Sequence, residues 1–264
     1  MIFLSKGGED PYINYFAKAC GSVPTPTEEF IFDESDDPIV LRGILKKKII
    51  KRCWENKRDF FYMDTGYFGN EVTSMNPNGW KYYHRIVKNN LQHERIIERP
   101  PDRFEKIGKK IYDWKKTGKK ILLACPDEKP CKFYNESYDN WINNTVEKIK
   151  SYTDRPIEIR KRVKSRLTRT REKPFIDALN DDVFALVTFN SNAAVESIFN
   201  GIPAFVLSPV HAAKPVAETN LSKIENPFYA DNDLRFAWAC HLSYGQFHTN
   251  ELKNGYAKEL MDFE

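Results

Sequence analysis

Short apolar runs alternate with amphipathic stretches along the chain. In the first half, Met1–Leu4, Glu29–Asp33 and Ile39–Arg42 have the compact apolar spacing of strands, and Asp59–Asp64 is a stronger, aromatic-rich one. Tyr12–Cys20 reads as a helix. Gly43–Asn56 places Ile44, Leu45, Ile49, Ile50 and Trp54 at helical spacing, and Arg103–Thr117 does the same with Phe104, Ile107, Ile111 and Trp114. Between them, residues 66 to 90 are rich in Gly, Asn and aromatics and read as an ordered loop region.

The second half is more regular. Lys120–Cys125, Pro156–Arg160, Val183–Phe189 and Ile202–Ser208 read as strands. Tyr138–Ser151, Pro174–Leu179 and Asn192–Asn200 read as the intervening helices. That alternation is the signature of a parallel sheet wrapped by helices. Leu234–Met261 reads as helical with a break near Gly245. The fold class expected is α/β. The basic connector Lys116–Lys120 marks a domain boundary, giving 1–117, 118–232 and a C-terminal helical segment 233–264.

The chain has 264 residues, of which 41% are hydrophobic and 30% charged, which excludes wholesale disorder. No apolar run approaches the roughly 20 residues of a spanning helix, so no membrane partner is expected. Met1–Leu4 passes at once into Ser5-Lys6-Gly7-Gly8, which is not a signal-peptide pattern. Five scattered cysteines are a poor disulfide framework and lack zinc-ligand spacing, so reduced thiols, a cytoplasmic setting and no metal are expected. The net charge is only +4, but Arg155–Lys173 holds nine Lys or Arg residues against Glu158 and Glu172. Such a block attracts nucleic acid or a ligand's phosphates.

In open parallel sheets, ligands bind beyond the carboxyl ends of the strands. Residues 185–207 are the most informative such place. A buried strand ends at Phe189, and Asn190 and Ser191 are good N-cap types for the next helix. Its free amides suit a phosphate. Asn192 and Glu196 share a face, Gly201 ends the helix, and Pro203 opens the next strand. Glu196 lies too deep in the helix for a capping box, which needs its acid three residues after the cap.

The run Asn190-Ser191-x4-Glu196-x4-Gly201-x-Pro203 resembles the nucleotide-sugar-binding signature of GT-B glycosyltransferases. The likeness spans residues 118 to 215. It implies two Rossmann-like domains, the first of them compact in a chain this short, with the C-terminal segment packing back across it. It implies that Ser191 and Asn192 meet a donor diphosphate and that Glu196 takes ribose hydroxyls. It further implies that cations of the Arg160–Lys164 stretch face the diphosphate from a strand beside the helix start. Arg160, Arg162, Lys164, Asn190, Ser191, Asn192, Glu196 and Ser208 are the candidate donor-binding residues. The nucleotide sugar is a co-substrate, and no further cofactor is implied.

Asp64 stands at the end of the aromatic strand and is the candidate general base for an inverting, metal-independent transfer. An Asx turn would also suit Asp64-Thr65-Gly66. An aspartic protease would need two such carboxylates in an all-β chain. His84 is a second base candidate because an unperturbed imidazole titrates near neutrality. Gly8, Tyr67 and Arg85 are the candidate acceptor-binding residues. Compact enzymes of this look occur in phages, where some glycosylate hydroxymethylated bases in DNA. The basic stretch with Trp80, Tyr82 and Tyr83 is compatible with a DNA acceptor in a host cytoplasm. Two other classes fit the same residues: a non-catalytic nucleotide or nucleic-acid binding protein, and a nucleotide-sugar epimerase.

Overall fold

The computed structural model describes residues 1–71, 79–161 and 174–261. Arg162 and Lys164 lie outside the described residues. In chain order the strands are β1 Ile2–Ser5, β2 Thr25–Pro26, β3 Ile39–Arg42, β4 Phe60–Thr65, β5 Tyr83–Lys88, β6 Lys120–Ala124, β7 Ile157–Arg160, β8 Val183–Thr188, β9 Ala204–Val206 and β10 Gln246–His248. The helices are α1 Pro11–Ala19, α2 Lys47–Glu55, α3 Asp102–Ile107, α4 Glu128–Tyr134, α5 Tyr138–Lys150, α6 Phe175–Leu179, α7 Ala193–Phe199, α8 Asn232–Tyr244, α9 Thr249–Lys253 and α10 Tyr256–Met261. The architecture is α/β. The chain forms two units, Met1–His93 with His241–Glu264, and Glu94–Cys240.

The first unit is a six-stranded sheet in the order β10-β5-β4-β3-β1-β2. β2, β1, β3 and β4 are mutually parallel, and β5 and β10 extend them antiparallel. Alternation along the strands sends Phe3, Val40, Phe61, Met63, Ile86 and Phe247 to one face. There they pack against Tyr12, Ile13, Phe16 and Ala17 of α1, Leu252 of α9, and Ala257 and Met261 of α10. Leu4, Ile39, Leu41, Phe60 and Tyr62 alternate to the other face and are equally buried. α1 begins at Pro11 with Asp10 as N-cap, whose carboxylate accepts the amides of Tyr12 and Ile13 at 3.1 and 3.4 Å.

Two expectations for this unit fail for physical reasons. Glu29–Asp33 is not a strand. Ile31 is 84% exposed, and Phe32 lies under the guanidinium groups of Arg52 and Arg58 at 4.3 and 5.1 Å. Cation–π contact satisfies an aromatic that a sheet would otherwise bury. Conversely, β5 falls inside the segment read as loop. Its His84 and Arg85 are buried, so polar residues occupy positions where the strand pattern expects apolar ones.

The second unit is a parallel sheet in the order β7-β6-β8-β9. Ile121, Leu123, Phe184, Val187 and Phe205 face Trp141, Ile142 and Ile149 of α5 on one side. Ala194, Val195, Ile198 and Phe199 of α7 are fully buried, and Phe199 meets Trp238 of α8 at 5.2 Å. β7 pairs with β6, not with β8, so the Arg160 strand end is one strand removed from the start of α7. That corrects the expected adjacency.

The units divide at His93/Glu94 rather than at the 116–120 connector. Residues 94–117 pack within the second unit. The amide of Tyr112 donates to the carbonyl of Phe199, that of Lys115 to Gly201, and Phe104 stacks on Phe199 at 6.1 Å. Of the expected Arg103–Thr117 helix only the part inside α3, up to Ile107, is helical. Gly108 ends it in the left-handed conformation, and Trp114 donates its indole N–H to the Ala230 carbonyl. The chain returns to the first unit within α8, and β10 then adds to β5.

Candidate functional site

Each unit has a switch point, where neighbouring strands send their connections to opposite sides. In the second unit it lies between β6 and β8, because the chain leaves β6 for β7 and β8 for β9. Cys125–Asp127 and Phe189–Asn192 stand at the carboxyl ends there. In the first unit it lies between β1 and β3, at Ser5–Gly8 and Arg42.

Around the second switch point, α7 begins at Ala193 with Asn192 as N-cap. Asn190 and Ser191 therefore precede the cap rather than supply it. The Ser191 hydroxyl still accepts the amide of Ala193 at 3.2 Å. His211 fixes this turn from behind. Its Nδ1 accepts the amide of Ala213 at 3.0 Å, so the ring proton sits on Nε2 and is donated to the Ser191 carbonyl at 3.1 Å. Glu196 stands one turn into α7, and Lys109 donates to its Oε2 at 2.8 Å. Both side chains are mostly buried. Ser208 is buried beyond β9, and its amide donates to the Phe189 carbonyl. Arg160 is half-buried, with its guanidinium 5.7 Å from the Phe175 ring.

In the first unit the carboxyl ends carry polar groups on both faces of the sheet. On one face Asp64 and Arg85 are cross-strand partners. The Tyr62 hydroxyl donates to Asp64 Oδ2 at 2.6 Å, Arg85 Nη2 approaches the same oxygen at 3.5 Å, and the Thr65 amide donates to Oδ1 at 2.8 Å. Burial raises the Asp64 carboxyl, but Arg85, the Tyr62 hydroxyl and the Thr65 amide together outweigh it and hold it below its ordinary value. Arg85 itself is buried, donates to the Thr65 carbonyl at 2.7 Å, and lies over the Tyr67 ring at 5.3 Å. Tyr67 is also buried, its hydroxyl bonded to His93 and its amide to Gln246.

On the opposite face, Arg42 pairs with Asp10 at 3.1 Å and lies over Tyr12 at 4.7 Å. Tyr12 stacks on His84 at 3.8 Å. His84 is fully enclosed, 3.2 Å from the Lys81 carbonyl, and burial pushes its pKa down to about 4. The two candidate bases thus occupy opposite faces. Only the Asp64 carboxylate has open surface, with a third of its side chain exposed.

Sequence reasoning missed Lys109, Arg42 and Tyr12, whereas the Ser208–His211 segment after the last strand of the second sheet was visible as a place to contact the donor. Arg42 was the most legible, since it closes an apolar strand at a carboxyl end. Lys109 gave no signal, because it reaches Glu196 from 87 residues away. Among the described residues, no group of three or more His, Cys, Asp or Glu could hold a metal ion, and no helix is long and apolar enough to cross a membrane.

No protein-family model matches the chain, and no curated protein matches it in sequence. Among solved structures it is similar to Thermosulfurimonas dismutans KpsC, beta Kdo 2,4 transferase, at 9% identity and a TM-score of 0.46, over 87% of this chain and 85% of that one. It is also similar to KpsC, beta Kdo 2,7 transferase, of the same organism, at 11% identity and a TM-score of 0.36, over 85% of this chain and 84% of that one.

Proposed function

We propose that this chain is a glycosyltransferase that moves a sugar from a nucleotide-sugar donor to an acceptor hydroxyl. One observation carries the reading. Asn190, Ser191 and Asn192 stand at the switch point of a parallel sheet, with a mostly buried carboxylate, Glu196, one turn further on. An α/β sheet takes nucleotides at such a crevice. The donor diphosphate lies against Asn190–Asn192, with Arg160, Arg162, Lys164 and Ser208 as further contacts, and Glu196 takes the ribose hydroxyls.

The first unit supplies the acceptor side. Asp64 is ionised at neutral pH and has open surface, so it is the base. It takes the acceptor hydroxyl proton as that oxygen bonds to the anomeric carbon. The carbon–oxygen bond to the diphosphate breaks, and the electron pair leaves with the phosphate. Attack from the face opposite the leaving group inverts the anomeric centre. Hydroxymethylated DNA is one acceptor to screen.

The test is a thermal-shift panel of nucleotide sugars and free nucleotides, run with the wild type and with Glu196→Ala. A ligand at 100 times its Kd adds about 2.7 kcal/mol of stability. A shift with one nucleotide sugar, lost in the variant, supports the reading. No shift with any nucleotide at millimolar concentration overturns it. Donor consumed without any acceptor would point to an epimerase, and binding without turnover to a non-catalytic protein.

A further inference from the structure

The first unit carries two segments of opposite charge that the proposed chemistry does not use. Residues 44–58, which include α2, hold seven Lys or Arg residues and one acid, Glu55. Residues 28–37 hold six acids and no Lys or Arg, and contain neither helix nor strand. The two segments are joined through arginines. Phe32 lies under Arg52 of α2 at 4.3 Å and under Arg58 at 5.1 Å. Arg58 also donates to the Asp33 carboxylate at 2.9 Å and to the Asp37 carbonyl at 2.8 Å.

Beyond that junction the charges do not pair. Lys48, Lys51 and Lys57 are exposed and make no ion pair among the described residues. Glu29, Glu34 and Asp36 are exposed and equally unpaired. A strap held on the helix by ion pairing would bring these groups into contact. The lysines do not stabilise the helix either. Lys47 and Lys48 stand in the first turn of α2, where the dipole disfavours cations, and no side chain caps that end. Glu55 stands at the other end, where the dipole disfavours acids, and of the helix termini's charges only Arg52 suits it. Charges that break a local rule without local compensation mark a surface kept for something outside the fold.

We propose that the exposed face of α2, with Lys48, Lys51 and Lys57, docks the phosphate backbone of a nucleic acid, and that residues 28–37 act as its internal electrostatic competitor. Counted together the two segments are neutral, so the surface attracts a polyanion only against the neighbouring acids. Both arginines are engaged by the acidic segment. The lysines, which meet phosphate as point charges and read no base, are left facing solvent. A membrane matches the helix less well. Ile50 and Cys53 of α2 are buried, so its outer face lacks the apolar stripe that an interfacial helix inserts. The inference concerns one surface of the first unit and does not depend on the nucleotide-sugar reading.

The experiment measures binding of a short duplex DNA of arbitrary sequence to the full chain by fluorescence anisotropy over a salt series. Each lost phosphate contact lowers the slope of log affinity against log salt by about 0.9. Lys48→Gln, Lys51→Gln and Lys57→Gln combined therefore lower it by about 2–3. Glu29→Gln, Glu34→Gln and Asp36→Asn combined tighten binding by about tenfold at low salt. All six residues are exposed and unpaired, so both variants keep the fold. A control of equal charge change in the second unit, Glu136→Gln with Asp139→Asn and Glu147→Gln at exposed positions, leaves the affinity within about twofold. No duplex binding at low salt, or an unchanged slope in the lysine variant, overturns the surface. Equal tightening in the control overturns the competitor. Tighter binding to vesicles of anionic phospholipid than to the duplex, lost with the same lysines, overturns nucleic acid as the partner. A nucleotide-sugar thermal shift separates the two readings. Duplex binding without it leaves this surface standing and removes the transferase, and the reverse result does the opposite.

Discussion

Lys109 Nζ lies 2.8 Å from Glu196 Oε2, and the two side chains are only 18% and 22% exposed. The carboxylate proposed to hold ribose is therefore already engaged in the free protein. A ribose pair of hydroxyls must share it with the ammonium or displace it.

That pairing predicts a separation of stability from binding. Lys109→Met removes the charge but keeps the methylenes over Phe199, whose ring centre is 5.8 Å from Nζ. It lowers stability by about 1–3 kcal/mol, because a mostly buried carboxylate loses its cation. It leaves nucleotide affinity intact or improved, because the ribose hydroxyls no longer compete with the ammonium for Oε2. Glu196→Ala instead abolishes any preference for a ribonucleotide over its 2′-deoxy form. Calorimetric titration of both variants with both nucleotides checks this. Equal losses in the two variants would mean that the pair is structural.

Gly201→Ala is expected to destabilise the second unit. Gly201 has φ of +71°, and an added Cβ would stand 1.9 Å from the Asp113 carbonyl oxygen. Backbone strain and a steric clash together cost about 2–4 kcal/mol. A lower urea midpoint at unchanged slope is the readout. The chain passes close against residues 112–115 here, where the Lys115 amide donates to the Gly201 carbonyl.

Much of this organisation was legible because period and punctuation agree locally. β6, α5, β8 and α7 read correctly since their apolar positions are buried at regular spacing and the chain around them carries Gly, Pro or Asn. β5 was illegible because its buried face includes Arg85 and His84, satisfied by Asp64, the Thr65 carbonyl and the stack on Tyr12. Periodicity registers hydrophobicity, not paired charge. The Arg103–Thr117 helix was overread, since Trp114 and Tyr112 meet their partners as an irregular strap across residues 199–230. At the site, Asp64 was visible from its strand end. Its partners Tyr62 and Arg85 took on meaning only once the register placed them on one face.

Asp64→Asn removes the counter-charge of a buried guanidinium. Arg85 is 6% exposed, and leaving it with neutral partners costs about 2–4 kcal/mol. The pH signature is also defined. The Asp64 carboxyl titrates lower in the folded chain than in the unfolded one, whose value is 3.8. Its contribution is full above that value and is lost as pH falls through the folded one. Urea unfolding of the wild type and the variant converges below about pH 4. A constant offset down to lower pH would show that the carboxylate's charge contributes little.

His84 governs a separate and higher window. The unfolded imidazole titrates at 6.5 and the folded one at about 4, because burial under Tyr12 disfavours the charged ring. The unfolded chain thus binds the proton first. Stability from the neutral ring is full above 6.5 and drains away as pH falls towards 4, by roughly 3 kcal/mol in total. His84→Phe keeps a ring against Tyr12 but cannot take a proton, so its melting temperature changes less than the wild type's between pH 6.5 and 4. The difference between the two curves isolates this one group from the other buried histidines. If the curves run parallel, the folded ring is charging where it sits, and His84 would regain its standing as a base in reach of solvent. If they diverge, the imidazole is a fixed part of the core, and Asp64 on the opposite face is left as the proposed base.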